Sequence, residues 1–274
     1  MNRIRAAAGG ALALVLGGAP AMAQTDYRNL DDARPVFTED AYALERYAFE
    51  LVAPYHFESG AAGTDAHTVS PGLGYGLLPN LQVGLELPLS ALHQDTGTRW
   101  GLAGLELLAL YNFNTESAGL PALGLRADLQ LPVGALAGDV ARLTVRAIAT
   151  RSFGRTRLHL NAARSVGSED GLSPVDAAPR WTYSAAVDHS LLRSSLLLVL
   201  ETAALRRIAG ASMEVNVAAG LRWQWTPTVV LDAGVARRLR RAAGPDLALT
   251  LGLTHVFAVP GLMPSRPTAG GAAL

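Results

Sequence analysis

Met213 to Pro227 reads MEVNVAAGLRWQWTP. Every second residue from Met213 is apolar or aromatic: Met213, Val215, Val217, Ala219, Leu221, Trp223 and Trp225. Between them stand Glu214, Asn216, Ala218, Gly220, Arg222 and Gln224. Successive side chains of a strand point to opposite faces, so this is a strand with one greasy and one wet side. It is longer than an ordinary strand of a soluble sheet. Either a protein core or lipid must cover the greasy face.

The same alternation recurs along the chain. Leu81, Val83, Leu85, Leu87 and Leu89 carry one apolar row; Leu123, Leu125, Ala127, Leu129 and Leu131 another. Leu143 to Ala149 and Leu247 to Leu253 repeat it. Half of the residues are hydrophobic, yet no run after the N-terminus is long enough for a transmembrane helix. High hydropathy spread at period two, about ten residues per strand, is the pattern of a transmembrane β-barrel. Turn signals divide the chain into about twelve strands: 43–57, 66–77, 81–92, 98–113, 121–133, 141–153, 156–166, 180–191, 194–206, 212–226, 228–240 and 246–257. The expected fold is all-β, an antiparallel up-and-down barrel.

The connections sort into two kinds. Leu78 to Asn80, Gly154-Arg155, Leu192-Arg193 and Pro227 are tight, with Asn114 to Leu120 the exception. Glu58 to Asp65, His93 to Gly97, Gly134 to Val140 and Gly167 to Pro179 are longer; those near Gly210 and Gly244 are short. Short turns on one side and longer loops on the other suit the periplasmic and outer ends of such a barrel. Aromatics gather at the strand ends as two girdles. Tyr47, Phe49, Tyr75, Tyr111, Phe113, Phe153, Trp223, Trp225 and Phe257 mark the periplasmic end; Tyr55, Phe57, Trp100, Trp181 and Tyr183 mark the outer end.

The N-terminus has Arg3 and Arg5, an apolar run from Ala6 to Ala19, then Ala21-Met22-Ala23. These are the parts of a secretory signal peptide spanning 1–23. The expected mature chain has a periplasmic segment over 24–42 that can plug the barrel, the barrel over 43–257 and a periplasmic tail over 258–274. The chain has no cysteine, hence no disulfide framework and no thiolate metal site. Its 23 basic and 23 acidic residues balance, so nothing points to nucleic acid. Expected partners are outer-membrane lipid, a small-molecule solute and the barrel-assembly machinery, which would read Thr250 to Phe257. No cofactor or metal is expected.

With the apolar rows facing lipid, the alternate residues face the lumen: Arg46, Glu50, Glu86, Glu106, Arg126, Asp128, Arg142, Arg146, Arg157, His159, Glu201, Glu214, Arg222 and Asp232, with Asp188, Arg238 and Arg240. Mixed charges in a narrow lumen are expected to pair across neighbouring strands. They make either a salt-bridged interior or a polar channel selecting solutes by charge. The arginines from Arg126 to Arg157 would attract anions. A barrel hydrolase would need a histidine and a serine two residues apart on one strand face, and none of the six histidines has one. The chain reads as no enzyme. A closed barrel acting through its outer loops is the alternative to a channel.

Arg34-Pro35-Val36-Phe37-Thr38-Glu39-Asp40-Ala41, followed by Tyr47-Ala48-Phe49-Glu50-Leu51, resembles the opening of a bacterial barrel family labelled "MetA-pathway of phenol degradation". The resemblance implies an outer-membrane transporter, with aromatic or other small hydrophobic compounds as solutes. Arg34, Pro35, Thr38, Glu39 and Asp40 are its motif residues, and Thr38 to Asp40 can equally cap or plug the entrance. The usual glycine before the first strand is replaced by Leu44 to Arg46.

Overall fold

The computed structural model describes residues 26–60, 64–167, 180–191, 195–207, 212–240 and 244–263. The expected signal peptide, the turn at Leu192-Arg193, most of the loop from Gly167 to Pro179, the turn near Gly210 and most of the C-terminal tail lie outside them. Among the described residues sixteen strand segments follow in chain order: β1 (Ala48–Val52), β2 (Tyr55–Ser59), β3 (Asp65–Val69), β4 (Gly72–Leu78), β5 (Leu81–Glu86), β6 (Leu89–Gln94), β7 (Gly97–Leu102), β8 (Leu105–Asn114), β9 (Ala122–Leu131), β10 (Arg142–Phe153), β11 (Thr156–Val166), β12 (Trp181–Leu191), β13 (Leu196–Arg206), β14 (Glu214–Thr226), β15 (Val229–Arg238) and β16 (Leu247–Ala258).

These segments build a closed antiparallel barrel of twelve crossings. Its periplasmic half runs β1-β4-β5-β8 and on through β9 to β16, which pairs back with β1 from Ala48↔Ala258 to Val52↔Thr254. The outer half continues from β16 through β2, β3, β6 and β7. Closure leaves no strand edge around the periplasmic half, as lipid requires.

The first four crossings are broken, where sequence reading expects continuous strands. The first also begins at Ala48 rather than at 43. The breaks fall at Pro54, Pro71 and Pro88 on three neighbouring crossings, and at Gly104 (φ +140°) on the fourth. Proline has no N–H to give to a ladder, so each interrupts the pairing. Backbone bonds from the next crossing bridge the gaps. Ser70 N–H donates to Pro54 O, Leu87 to Pro71 O and Ala103 to Pro88 O, at 2.8–3.0 Å. Beyond the fourth break, β7 pairs with β6 alone, and the inward-folded loop after β9 meets its other edge through Leu136 N–H on Leu102 O.

The opening stretch lies in β14 as its alternation requires. Val217, Leu221, Trp223 and Trp225 are exposed on the outside, while Glu214, Gly220 and Arg222 are buried inside. The same outward rows hold exposed Leu85, Leu107, Leu125, Leu200 and Leu251 on other strands. A continuous exposed apolar belt on a closed barrel is a lipid-facing surface. At its periplasmic margin Phe49 packs on Tyr75 (4.6 Å between centroids) and Phe257 (5.5 Å), and at the outer margin Trp181 stacks on Tyr183. Such pairs contribute about 0.5–1.5 kcal/mol each beyond area burial.

Candidate functional site

The lumen is filled from the N-terminal side. Residues 26–46 enter it, turn around Asp31 to Phe37 and return to β1. Asp40 N–H donates to Leu30 O, tying the two limbs together, and Tyr47 N–H donates to Gly76 O where the segment joins the wall.

Polar contacts hold this plug on several sides. Glu39 receives Arg126 at 2.8 Å and Arg146 at 3.3 Å; Asp32 receives Arg146 at 2.6 Å. Asp40 faces Arg157 at 3.3 Å, and Asp31 pairs with Arg222 at 2.9 Å and Arg34 at 3.0 Å. Burial disfavours the Asp31 and Asp32 carboxylates, but the guanidiniums around them outweigh it and hold both pKa values below the ordinary aspartate range. Arg34 also donates to Thr254 Oγ1 at 2.7 Å. Thr38 N–H donates to the Glu201 carboxylate and its hydroxyl to Ser184 Oγ. Asn161 clamps the Glu39 backbone on both its N–H and its C=O. Motif residues Arg34, Thr38, Glu39 and Asp40 are all buried here.

Apolar seats complete the fit. Tyr27, Leu30 and Val36 pack on Leu197, Val199 and Val230, while Ala41 packs on Leu110, Ala122 and Ile148. Those wall residues point inward, against the polar-inside rule, because an apolar plug face covers them. Two inward glycines admit Pro35. A Cβ on Gly234 would overlap the Pro35 carbonyl oxygen, and one on Gly220 would lie 2.6 Å from Pro35 Cγ. Gly234→Val should therefore push the segment off its seat. The chain lacks cysteine, so Val36→Cys serves as a lone reporter. Its labelling by a water-soluble thiol reagent should rise about tenfold in the Gly234→Val background, since overpacking costs about 1–3 kcal/mol.

The expected lumen residues mostly line the interior, but their pairing differs from expectation. Cross-strand pairing is the minor pattern. Arg126 also meets Asp128 (2.6 Å) along its own strand, and Arg157 meets Asp188 (2.6 Å) on the next. The principal partners of Arg126, Arg146 and Arg222 include plug carboxylates, so these are not free anion sites. Arg46 is a correction. It precedes β1, is exposed at the periplasmic mouth and lies over the Tyr47 ring at 4.5 Å. Glu50 and Glu86 line a cleft of about 30 Å³ beside the plug, and Glu106 faces Arg126 at 3.7 Å. Glu214 meets Arg207 at 3.2 Å, and Asp232 stands opposite Arg222 in the β14–β15 register. Arg238 donates to the Gly244 carbonyl and pairs with Asp246, while Arg240 lies past the end of β15.

His159 has partners that lie on neighbouring strands and that spacing along one strand does not reveal. Its Nδ1 is 3.0 Å from Thr150 Oγ1 and its Nε2 is 3.0 Å from Asp188 Oδ2. The order hydroxyl, imidazole, carboxylate is that of a hydrolytic triad. Here all three side chains are fully buried, and Thr150 Oγ1 accepts the Ala41 N–H at 3.1 Å. The chain of bonds ends on the plug backbone and serves to hold it. Asp31, Asp32, Asn112 and Thr150 also contact or belong to the plug, and no spacing rule singles them out.

Above the plug the lumen opens. An outer vestibule of about 410 Å³ lies inside β2, β3, β6 and β7 and under the loop after β9, with Glu58, Arg99, Gln130, Arg142 and Leu136 among its walls. A deeper pocket of about 180 Å³ shares Gln130 and Arg142 and reaches Arg146, Thr144 and the plug residues Asp32 and Phe37. Phe37 lies under the Arg146 guanidinium at 5.0 Å. Arg142 donates to Gln130 Oε1 at 2.8 Å. Among the described residues no cluster of three or more metal-ligating side chains occurs.

No family model matches the sequence, and no curated protein matches it. Solved structures do match the fold. The COG4313 outer-membrane channel of Pseudomonas putida F1 superposes with a TM-score of 0.62 at 18% identity, over 83% of this chain and 100% of that one. The fold is that of an outer-membrane barrel. The KdgM porin, in a complex with disordered oligogalacturonate, gives a TM-score of 0.50 at 12% identity, over 75% of this chain and 98% of that one.

Proposed function

We propose that this chain is a passive outer-membrane channel for small amphipathic solutes, gated by its own N-terminal segment. The observation that carries the reading is the vestibule. A cavity of mixed polar and apolar walls narrows onto a floor made by Phe37 and Asp32 of the plug. A solute entering from outside meets Leu136, Arg142 and then Phe37, an apolar contact, a cation and an aromatic ring in succession. That sequence suits a small aromatic carboxylate better than a sugar. The resemblance to the phenol-degradation family supports the same solute class. Its barrel neighbours include a channel and a porin, which supports a channel over a lipid hydrolase.

Flux into proteoliposomes tests it. Refolded protein should admit benzoate well above empty liposomes and above a small sugar. Equal, background-level entry of both, from protein folded in the bilayer, would leave a closed barrel acting through its loops. Charge reversal at Arg142 should lower benzoate entry relative to a neutral solute of the same size; an unchanged ratio removes the anion preference.

A further inference from the structure

A second concavity lies outside the lumen, on the lipid face. It is a groove of about 780 Å³ across β13, β14, β15, β16, β2 and β3, the last contributing His67. Its floor is Ala219 and Ala233, with the lumen glycines Gly220 and Gly234 beside them; Leu221, Leu249, Leu251 and Phe57 are among its walls. Small floor residues between bulky ones make a trough in an otherwise even belt. The floor is backed from inside, where Pro35 of the plug presses on both glycines. The trough is therefore a preformed shape, in the size range of a ligand pocket.

A cation stands at its outer end. The outward row of β15 runs Leu231, Ala233, Val235 and Arg237. The groove ends on the rung Ala219–Val235–Leu249–Phe57; the next rung outward is Val217–Arg237–Leu247–Ser59. Two residues of strand separate the rungs, about 6.8 Å. Arg237 is exposed, and no hydrogen bond or ion pair engages its side chain among the described residues. An apolar trough with a guanidinium at its headgroup end matches an acyl chain bearing a phosphate.

We propose that this groove binds lipid A, the phosphorylated, multiply acylated glycolipid of the outer leaflet, with a chain along Ala219 and Ala233 and a phosphate on Arg237. The outer leaflet follows from the loop side of the barrel, and so rests on its standing in an outer membrane. The site does not depend on what passes through the lumen.

The test is intact-complex mass spectrometry of barrel extracted from outer membranes in mild detergent. Wild type should retain one lipid A per barrel. Arg237→Gln should lower the retained fraction about fivefold, the worth of one basic side chain at a lipid surface. Ala233→Phe should fill the trough and abolish retention, while Ala147→Phe, on the lipid face of β10, should leave it intact. Heat-modifiable migration checks that each variant is folded, and Arg237→Gln keeps the test open if Ala233→Phe does not fold. Retention of phospholipid instead, of no lipid, or of lipid A that neither groove variant changes would each overturn the assignment.

Discussion

Deleting residues 26–42 should raise the ion conductance of the barrel several-fold and turn its selectivity toward anions. The segment carries Asp26, Asp31, Asp32, Glu39 and Asp40 against Arg28 and Arg34, so its removal makes the lumen more positive by three charges. It also uncovers Arg126, Arg146, Arg157 and Arg222, which it engages through ion pairs. With the segment seated, the cleft beside it at Glu50 and Glu86 is about 30 Å³, room for little more than a water molecule or two. Planar-bilayer recording gives the result directly. Equal conductance and equal ion preference with and without the segment would mean that ions take a path the plug does not control. A full-length variant separates gating from deletion. Arg126→Gln with Arg146→Gln leaves the buried Glu39 and the half-buried Asp32 without those partners, where breaking a fully dry pair costs about 3–5 kcal/mol. Hydration of the freed lumen reduces this, so a rise in open probability of about tenfold is the expected readout, and brief openings should replace a steady low conductance.

The wall of the barrel was legible because one physical rule governs it: lipid outside and water or charge inside make period-two alternation. Val217, Leu221 and Trp223 obey it strictly. The broken crossings were less legible, although their prolines were in view. A proline reads as a strand end in isolation; only the pairing of neighbouring crossings shows that Pro54, Pro71 and Pro88 interrupt one wall together. The plug was visible as a motif, but its footprint was hidden. Leu196 to Leu200 read as a uniformly apolar run, in which Leu197 and Val199 violate the alternation. They are the seat of Leu30 and Val36. Inward glycines at 220 and 234 carry the same message, since a missing side chain makes room for a second backbone. Local pattern fails at these positions because their partner is more than 150 residues away along the chain, and a one-strand rule has no place for it.

Leu221→Arg should destabilise the folded barrel by about 2–4 kcal/mol, whereas Val215→Arg on the same strand and the same face should cost only about 0–1 kcal/mol. Both side chains point outward from β14. They differ in depth. Leu221 lies near the middle of the apolar belt, one outward position above Trp223, and Val215 lies near the outer end of the strand. A guanidinium at the centre of a bilayer loses its hydration, and only snorkelling or local thinning relieves it. At the margin it reaches water and headgroups. Denaturant titration of both variants in lipid vesicles measures the difference. A soluble protein core would penalise each arginine according to its burial, with no dependence on distance from the ends of the strand. A depth profile along one outward row therefore separates lipid from core. Equal costs at the two positions would refute a lipid-facing β14 and, with it, the reading of Met213 to Pro227 from which the barrel was built.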